Sequence, residues 1–498
     1  MPDPTTPRSR ESHSQRVLKA FFVTTASSFV VLALNFVYAT VTSRLLPPST
    51  FGAFAVAFSG LGLLTVLGGS SLGLSAARRD HDSVDLDRSL VTLSVIIGVA
   101  TALVGFLLAP LWGSFWGIPE STEITRVLAL GLIPNAVSEV LGGILRRHGL
   151  TSRAAMRTAT GQALGILVGF AAVLVYRTPW SLAVALVVGP VVTLALLVVV
   201  VPRDRMRPTM PTAAVLGDVV YAMKFGGMNV LRYGTSLVPV WSVSRFSGSA
   251  SLGAYNRATT LLTNPLLNLQ RSFSYTLFPE LRPNGPVFRS PTAFTDVLIL
   301  VTWPAVFLGG IGYFAAPPFI SIVLGPMWSE ASALAGVALL LGVVPIVSIP
   351  LGSALEALGK FWVTWLGWLV GAIVIGVGAV FTALSGSALP AMLGVLAATT
   401  VGTLIYFLFL SRAGLISLRE FYAGTKSIAA LQAVITVLLA ATKVMFFPNN
   451  IVLLATTATI AVLELLILWL VRRRTTFGVL ARRYDLPGFG SETGRSVS

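Results

Sequence analysis

Cysteine is absent from this 498-residue chain, and histidine occurs only as His13, His81 and His148. The absence of cysteine excludes disulfide bonds, thiolate metal sites and a cysteine nucleophile. The three histidines lie in polar segments, and their spacing does not allow them to join in a metal cluster. No P-loop or dinucleotide-binding glycine motif is present. The sequence therefore predicts no catalytic residues, no metal site and no cofactor, and it favours a protein that is not an enzyme.

Charged residues are also scarce. They make up 11% of the chain, whereas 55% of the residues are hydrophobic; soluble globular proteins carry roughly 25% charged residues. Apolar runs of about 20 residues recur along nearly the whole chain, and each is long enough to cross the hydrocarbon core of a bilayer. The first run, about residues 21–42, is too long for the core of a signal peptide, and no small-residue cleavage site follows it. We therefore expect it to be a retained anchor.

The fold class predicted from these runs is an all-α integral membrane protein with about fourteen transmembrane helices. Polar ends flank the apolar body. Residues 1–15 and 476–498 are rich in Ser, Pro, Gly and Arg, so they are predicted to be disordered. The approximate centres of the predicted spans are Ala33, Leu64, Val99, Asn135, Ile166, Val192, Arg232, Pro265, Val306, Leu340, Ile373, Thr400, Val434 and Ala461.

Basic residues give the chain a net charge of +16, and they lie in short loops between the predicted spans. They concentrate in alternate loops, whereas residues 112–121 and 317–329, on the other side, contain no Lys or Arg. This is the positive-inside pattern, which indicates membrane topology rather than a nucleic-acid partner. Regular alternation along the chain predicts a multi-pass membrane protein with both termini in the cytoplasm.

A short internal repeat links two distant segments, because residues 44–57 recur at residues 245–258. Both copies begin with an arginine, Arg44 or Arg245, at the outer end of a span. We expect a common structural role for the two, such as helix capping or headgroup contact, with substrate gating as the alternative. Both copies continue with Gly-Ala-aromatic at the same spacing. A weaker similarity relates residues 134–149 to residues 345–359.

Six predicted spans separate the two copies, and an even number returns the chain to the same side of the membrane. The copies therefore point the same way, which predicts two six-helix lobes related by a pseudo-twofold axis along the membrane normal, with a cavity between them. The predicted divisions are a first lobe at residues 16–202, a cytoplasmic inter-lobe loop at 203–214, a second lobe at 215–411 and two extra helices at 412–475.

Three segments carry a resemblance to a known family: TSRLLPPSTFGAFAVAFS at residues 42–59, SRFSGSASLGAYNRA at 244–258 and LFPELR at 277–282. With their order and spacing, the chain resembles the polysaccharide flippases of the multidrug/oligosaccharidyl-lipid/polysaccharide (MOP) exporter superfamily over about residues 17–475. The resemblance implies two six-helix lobes plus two extra helices, and transport by alternating access. It also implies export of undecaprenyl-diphosphate-linked saccharides for O-antigen, exopolysaccharide or teichuronic-type polymers. Implied partners are this lipid-linked saccharide, membrane lipids, and polymerase and glycosyltransferase proteins.

Basic residues inside predicted spans are the main functional signal. Lys224 and Arg232 fall in the seventh span, and Arg257 and Arg271 fall in the eighth. A charged side chain at the centre of a membrane helix costs about 2.5–3.5 kcal/mol. Each of these residues therefore needs a partner or a wet cavity.

Polar side chains share helix faces with these cations on the seventh and eighth spans, and a similar face lies on the first span. We interpret the faces as the lining of a central cationic cavity, where guanidinium groups hold a diphosphate and amides and hydroxyls bond sugar hydroxyls. The alternative is that the cations snorkel to the headgroups or pair with acids. Under the repeat Arg257 aligns with Val56, so the cations concentrate in the second lobe. The predicted substrate-binding residues are Arg232, Arg257, Arg271, Lys224, Asn229, Asn264, Asn268, Asn35 and Ser28.

Acidic residues inside spans are few, and Glu139, Glu356 and Glu464 stand out. Burial of such a carboxylate favours its protonated form, so it could carry a coupling proton. We favour instead an ion pair with a nearby arginine or a position close to the headgroups. A cluster of four aspartates and three arginines is predicted to be a solvated loop rather than a metal site. Its members are Arg78, Arg79, Asp80, Asp82, Asp85, Asp87 and Arg88.

Two other functions stay open at this point. A multidrug exporter of the same superfamily is expected to have twelve spans and an acidic cavity for cationic drugs, whereas this chain has an excess of basic residues within its spans. A polysaccharide polymerase or ligase is expected to place catalytic groups on a large outer loop. The outer loops here are short and nearly free of His, Arg and Asp. The sequence therefore favours a flippase for a lipid-linked oligosaccharide.

Overall fold

The computed structural model describes residues 13–68, 70–78, 83–210, 233–277, 291–446, 449–471, 475 and 479–480. Within these ranges the regular structure is entirely helical, with no β-strand. The chain separates into two compact units, which divide after Leu237. This confirms the predicted all-helical fold class.

The described residues of the first unit form eight complete α-helices and one short 3-10 turn. Helix α9, residues 233–246, crosses the point at which the two units divide. The bounds in the first unit are α1 His13–Leu45, α2 Pro48–Gly68, α3 Ser70–Arg78, α4 Val84–Trp116, α5 Ser121–Leu130, α6 Leu132–Arg147, α7 Thr151–Tyr176 and α8 Ser181–Val198, with the 3-10 turn at Arg203–Met206.

The described residues of the second unit form a bundle of seven further α-helices, with a 3-10 turn at Pro326–Trp328 before α12. Two of them contain several prolines, namely α11 with Pro304, Pro317 and Pro318, and α12 with Pro345 and Pro350. The bounds are α10 Gly248–Leu277, α11 Pro291–Leu324, α12 Ser329–Ala357, α13 Phe361–Ser385, α14 Leu389–Arg412, α15 Leu418–Phe446 and α16 Asn450–Val471.

Eleven helical segments in the described part of the chain are long and apolar enough to cross a membrane. Every predicted span centre except Arg232 falls within a described helix. Arg232 lies outside the described residues, so the number of fourteen spans and the symmetry of the lobes stay predictions. The lobe boundary at residues 203–214 also stays a prediction, because the description stops at residue 210 and resumes at 233.

The sequence repeat corresponds to a repeated helical corner. Helix α1 ends at Leu45 and α2 begins at Pro48; α9 ends at residue 246 and α10 begins at Gly248. The arginine before each corner is exposed. Two turns of small residues after each corner are buried, namely Ala53 and Ala57 in α2, and Ala254 and Ala258 in α10. The repeated segments thus share an exposed arginine at a helix end and a packed face of small residues, whereas the connecting residues differ: Gly248 has a φ of 89°, and Pro47 stands at the aligned position.

The weaker repeat also marks equivalent turns. Gly149 follows α6 and Gly359 follows α12, and both have positive φ angles, of 73° and 68°. Glycine tolerates this left-handed conformation because it lacks a Cβ. In each turn the next residue donates its backbone N–H to a carbonyl five residues earlier: Leu150 to Leu145 at 2.9 Å, and Lys360 to Leu355 at 2.8 Å. Both helices therefore end in the same Schellman-type cap.

Helices α7 and α8 pack together through glycine, and so do α13 and α14. A Cβ at Gly165 of α7 would lie 2.6 Å from the Cα of Gly189 in α8, and a Cβ at Gly378 of α13 would lie 2.9 Å from the Cα of Gly394 in α14. Only glycine allows the two backbones to approach so closely, as is common between membrane helices. The pairs α7–α8 and α13–α14 are therefore tightly joined.

Candidate functional site

The predicted polar face of α10 begins with a buried arginine. Arg257 is 8% exposed, and Asn264, two turns later on the same face, is exposed. The opposite face packs against α12, where the Gln270 side chain donates a 2.6 Å hydrogen bond to the Gly342 carbonyl. The face with Arg257 is therefore turned away from α12. Arg271 and Asn268 continue α10, but their side chains lie outside the described set.

The predicted polar face of α1 is only partly open. The Asn35 side chain is exposed, and its Nδ2 donates to the Val31 carbonyl at 2.9 Å. This bond leaves a second N–H and the amide oxygen for other interactions. Thr42, further along the helix, is fully buried and donates to the Tyr38 carbonyl at 2.6 Å. Ser28 lies on α1, and its side chain is outside the described set.

Lys224, Asn229 and Arg232 lie outside the described residues, but the residue that follows them is placed. The Tyr233 hydroxyl donates to the Ser59 carbonyl of α2 at 3.0 Å. Its ring also fills the space beside Gly62, where a side chain would overlap it. The start of α9 is therefore fastened to α2 within the first unit.

One intramembrane cation was missed by the sequence reasoning. Arg126 in α5 is half-buried, and its guanidinium carbon lies 5.2 Å from the centre of the Phe106 ring. This is the distance of a cation–π interaction. The signal was available, since Arg126 is the one basic residue in the helical segment of residues 121–130. The prediction that cations concentrate in the second lobe was therefore incomplete.

The prediction of a solvated loop was wrong for Asp87. This residue lies in the first turn of α4, and its side chain is fully buried. Arg147 Nη2 lies 2.9 Å and 2.7 Å from the two carboxylate oxygens, and Arg205 Nη1 lies 2.5 Å from Oδ2. Both arginine side chains are themselves largely buried. We call these three residues the Asp87 cluster; it joins α4, α6 and the 3-10 turn.

Neighbouring bonds extend this attachment. Arg88 Nε donates to the Asp204 carbonyl at 2.6 Å, and the Thr209 backbone N–H donates to Thr92 Oγ1 at 3.1 Å. Ser89 Oγ donates to the Met210 carbonyl at 3.3 Å. Residues 203–210 therefore lie fixed along the first turns of α4.

The three acidic residues inside predicted spans have different environments. Glu139 is exposed and lies 3.9 Å from Arg146 Nη2, and Glu356 is exposed near the end of α12. Glu464, by contrast, is 1% exposed, and neither carboxylate oxygen has a hydrogen-bond partner among the described residues. The prediction of an ion pair was therefore wrong for Glu464, and that of a position close to the headgroups stays a prediction.

The second unit contains a cavity of about 440 Å³ between α11, α12, α14 and α15. Its walls are mostly apolar. Polar groups at its edge come from Tyr313, Thr403 and Thr436, and Gly309 and Gly310 form part of its floor on α11. In the described part of the chain, no three His, Asp or Glu side chains are grouped to hold a metal ion.

The comparison with protein families finds one match. Residues 41–333, more than half of the chain, match the family described as "Polysaccharide biosynthesis protein". The match begins just before the corner between α1 and α2 and ends in α12.

Two curated proteins are similar over most of their length. The succinoglycan biosynthesis transport protein ExoT of Rhizobium meliloti (strain 1021) is 26% identical over 368 residues, which cover 72% of this chain and 73% of that protein. The lipopolysaccharide biosynthesis protein WzxC of Escherichia coli (strain K12) is 22% identical, covering 66% and 68%. Among solved structures, the lipid II flippase MurJ in an inward closed conformation has a TM-score of 0.69 at 12% identity. The similarity covers 93% of this chain and 100% of that one, and it shows a shared fold.

Proposed function

Because the chain belongs to the polysaccharide biosynthesis protein family, we propose that it is a membrane transporter that flips a lipid-linked oligosaccharide of the undecaprenyl-diphosphate type across the bilayer. It acts by alternating access and catalyses no covalent reaction. Relatives named for succinoglycan transport and for lipopolysaccharide biosynthesis support the substrate class. The shared fold with a lipid II flippase supports the mode of action.

The proposed site of action is the bacterial inner membrane, with both termini in the cytoplasm. The distribution of basic residues supports this orientation, because arginines gather at the predicted cytoplasmic ends of the spans. In the proposed orientation, the first turn of α4 with Asp87 and the last turn of α6 with Arg146 and Arg147 face the cytoplasm.

The proposed saccharide path runs along the polar face of α10. The observation that carries this proposal is the buried guanidinium of Arg257 on the same face as the exposed amide of Asn264. A guanidinium presents forked donors that match phosphate oxygens, and it is more weakly hydrated than an ammonium group. Asn264 and Asn35 would bond sugar hydroxyls. The same roles are proposed for the other predicted residues: Arg232, Arg271, Lys224, Asn229, Asn268 and Ser28.

The test uses the full-length protein in a strain that lacks its own copy. We expect Arg257→Gln to lower export of the lipid-linked glycan about tenfold, equivalent to about 1.4 kcal/mol of binding free energy. Arg257→Lys keeps the charge without the forked donors and should retain part of the export. Arg412→Gln is the matched control, since Arg412 is exposed at the end of α14 and has no predicted role in substrate binding.

The readout is the amount of undecaprenyl-linked glycan that accumulates on the inner leaflet, corrected for the amount of protein in the membrane. Normal export by Arg257→Gln at a normal protein level would contradict the role of this residue. Drug sensitivity of the deletion strain without any glycan defect would contradict the proposed substrate class.

A further inference from the structure

Glu464 is a buried carboxyl group with an unusual setting. It is the only ionisable residue in α16, and it is 1% exposed. Both of its oxygens lack a hydrogen-bond partner in the part of the chain that the structure describes. An unsatisfied buried polar group is uncommon in native proteins and calls for a physical explanation.

The surroundings of Glu464 follow from the packing of α16 on α11 and α15. One turn before Glu464, Ala461 packs with Ile311 and Ile435; one turn after it, Leu468 packs with Trp303 and Ile428. Glu464 therefore lies between two apolar layers of the same three-helix interface. The residue of α15 midway between Ile428 and Ile435 is Gln432.

Gln432 is the second buried polar group at this level. It is 7% exposed, and neither atom of its amide has a hydrogen-bond partner among the described residues. Its side chain lies against Gly310 of α11, where a Cβ would overlap the amide. Gly310 and Thr436, one turn after Gln432, both line the cavity in the second unit. Gln432 therefore lies at the level of Glu464 in the interface, beside a glycine that lines the cavity.

Charged residues that could compensate Glu464 are remote along each helix. Residues 297–324 of α11 and 427–442 of α15 contain no Lys, Arg, Asp or Glu, and Tyr313 is the titratable group in these two segments. The charged and titratable residues of α11 and α15 lie towards the helix ends, namely Asp296, Arg419, Glu420, Tyr422, Lys426 and Lys443. Arg472, Arg473 and Arg474 follow α16 outside the described residues, at least eight positions along the chain from Glu464.

The neutral acid is the form that fits this environment. An isolated carboxylate in an apolar interior loses several kcal/mol of solvation. The two side chains are not hydrogen-bonded to each other in this packing, but a protonated carboxyl offers one donor and one acceptor that a glutamine amide can match after a change of side-chain rotamer. A hard metal cation fits less well, because it takes about six oxygen ligands and the two side chains together supply three.

We propose that Glu464 and Gln432 form a proton-binding site between α11, α15 and α16. Glu464 takes a proton from water when its carboxyl is exposed and holds it while the three helices are packed as here. It releases the proton to water when α16 separates from α11. The use of this proton in saccharide transport rests on the proposed function; its binding does not.

The first experiment measures proton binding without transport. The full-length protein in lipid nanodiscs is treated with dicyclohexylcarbodiimide, which modifies protonated carboxyl groups in apolar surroundings, and the modified residue is identified by mass spectrometry. We expect modification of Glu464 that falls about tenfold for each unit of pH above its midpoint. Gln432→Leu should extend the modification to higher pH, because an amide N–H stabilises the carboxylate more than the acid.

The matched control is Glu139→Gln, which removes an exposed carboxyl and should leave the modification of Glu464 unchanged. Glu464→Gln should abolish the modification at this position. Absence of modification in the unaltered protein, or modification that is equal from acidic to alkaline pH, would overturn the proposal.

The second experiment separates this site from the proposed function. Flipping of the lipid-linked saccharide is measured in proteoliposomes with and without a proton gradient. In Glu464→Gln, the increase in flipping caused by the proton gradient should be at least about tenfold smaller than in the unaltered protein. Glu139→Gln should keep the full increase. Unchanged stimulation in Glu464→Gln would overturn the coupling. If the unaltered protein does not flip the saccharide at all, the proposed function is wrong, and the modification experiment alone decides the proton site.

Discussion

The two most deeply buried carboxylates of the described chain show opposite solutions to the same problem. Asp87 in the first unit and Glu464 in the second are both withdrawn from water, with exposures of 0% and 1%. Asp87 is held between two guanidinium groups, but Glu464 has no ion-pair partner among the described residues. Burial alone therefore does not define the role of an acidic residue. A buried carboxylate with cationic partners can hold two segments of the chain together, whereas one without such a partner is suited to bind and release a proton.

The difference also follows the position of each residue in its helix. Asp87 lies in the first turn of α4, where arginines from α6 and the 3-10 turn can reach it. Glu464 lies two turns inside α16, facing apolar stretches of α11 and α15. A paired charge of the first kind is costly to break, because removal of one partner leaves an uncompensated buried charge.

The largest effect on stability is expected when the Asp87 carboxylate is replaced by an amide. Asp87→Asn should lower the free energy of unfolding by about 3–5 kcal/mol, because two largely buried guanidinium groups lose their counter-charge. The measurement is thermal unfolding of the purified protein in detergent. Asp85→Asn is the control, since the Asp85 side chain is 81% exposed and should contribute little. Equal free energies of unfolding for Asp87→Asn and Asp85→Asn would show that the Asp87 cluster does not stabilise the fold.

The contributions of Arg147 and Arg205 to the Asp87 cluster can be measured separately. Arg147→Ala should lower the free energy of unfolding by about 1.5–3 kcal/mol, since its guanidinium contacts both carboxylate oxygens and hydrogen bonds to charged groups are worth this much. Arg205→Ala removes one contact and should have a smaller effect in the same unfolding assay. The reverse order would show that attachment of the 3-10 turn, rather than of α6, is the stronger contact.

The smallest effect is expected at Glu464. Glu464→Gln replaces a neutral acid by a neutral amide of nearly the same shape, so the free energy of unfolding at neutral pH should change by less than about 1 kcal/mol. The assay is the one used for Asp87→Asn. A loss as large as that of Asp87→Asn would show that Glu464 is ionised and paired, which would end the contrast between the two carboxylates.

The fold class could be predicted because long apolar runs and turn residues are local signals. The position of Arg44 and Arg245 before the corners, and of Gly149 and Gly359 at the caps, agrees with the repeats in the sequence. Asp87 could not be predicted in this way, since Arg147 and Arg205 lie 60 and 118 residues away along the chain. The alternation of acidic and basic residues predicted a solvated loop. In the structure, ion pairs with residues distant in sequence bury Asp87 instead.

For the candidate site, the sequence could predict which residues share a helix face, but not how deeply each of them is buried. The periodicity of α10 placed Arg257 and Asn264 on one face, which the structure agrees with, but it could not tell that Arg257 is buried and Asn264 exposed. That difference depends on which neighbour covers each turn. The burial of Glu464 was missed for the same reason, because it is set by α11 and α15 rather than by α16 itself.

The glycine contacts in the two tightly joined helix pairs have a mechanical consequence. The backbones contact each other at Gly165 and Gly189 and at Gly378 and Gly394, with no side chains between them at these points. Each of these helix pairs should therefore move as a rigid unit. Bending during a transport cycle is then directed to helices whose ladders of hydrogen bonds are already interrupted. In the second unit these are α11 and α12, with five prolines between them.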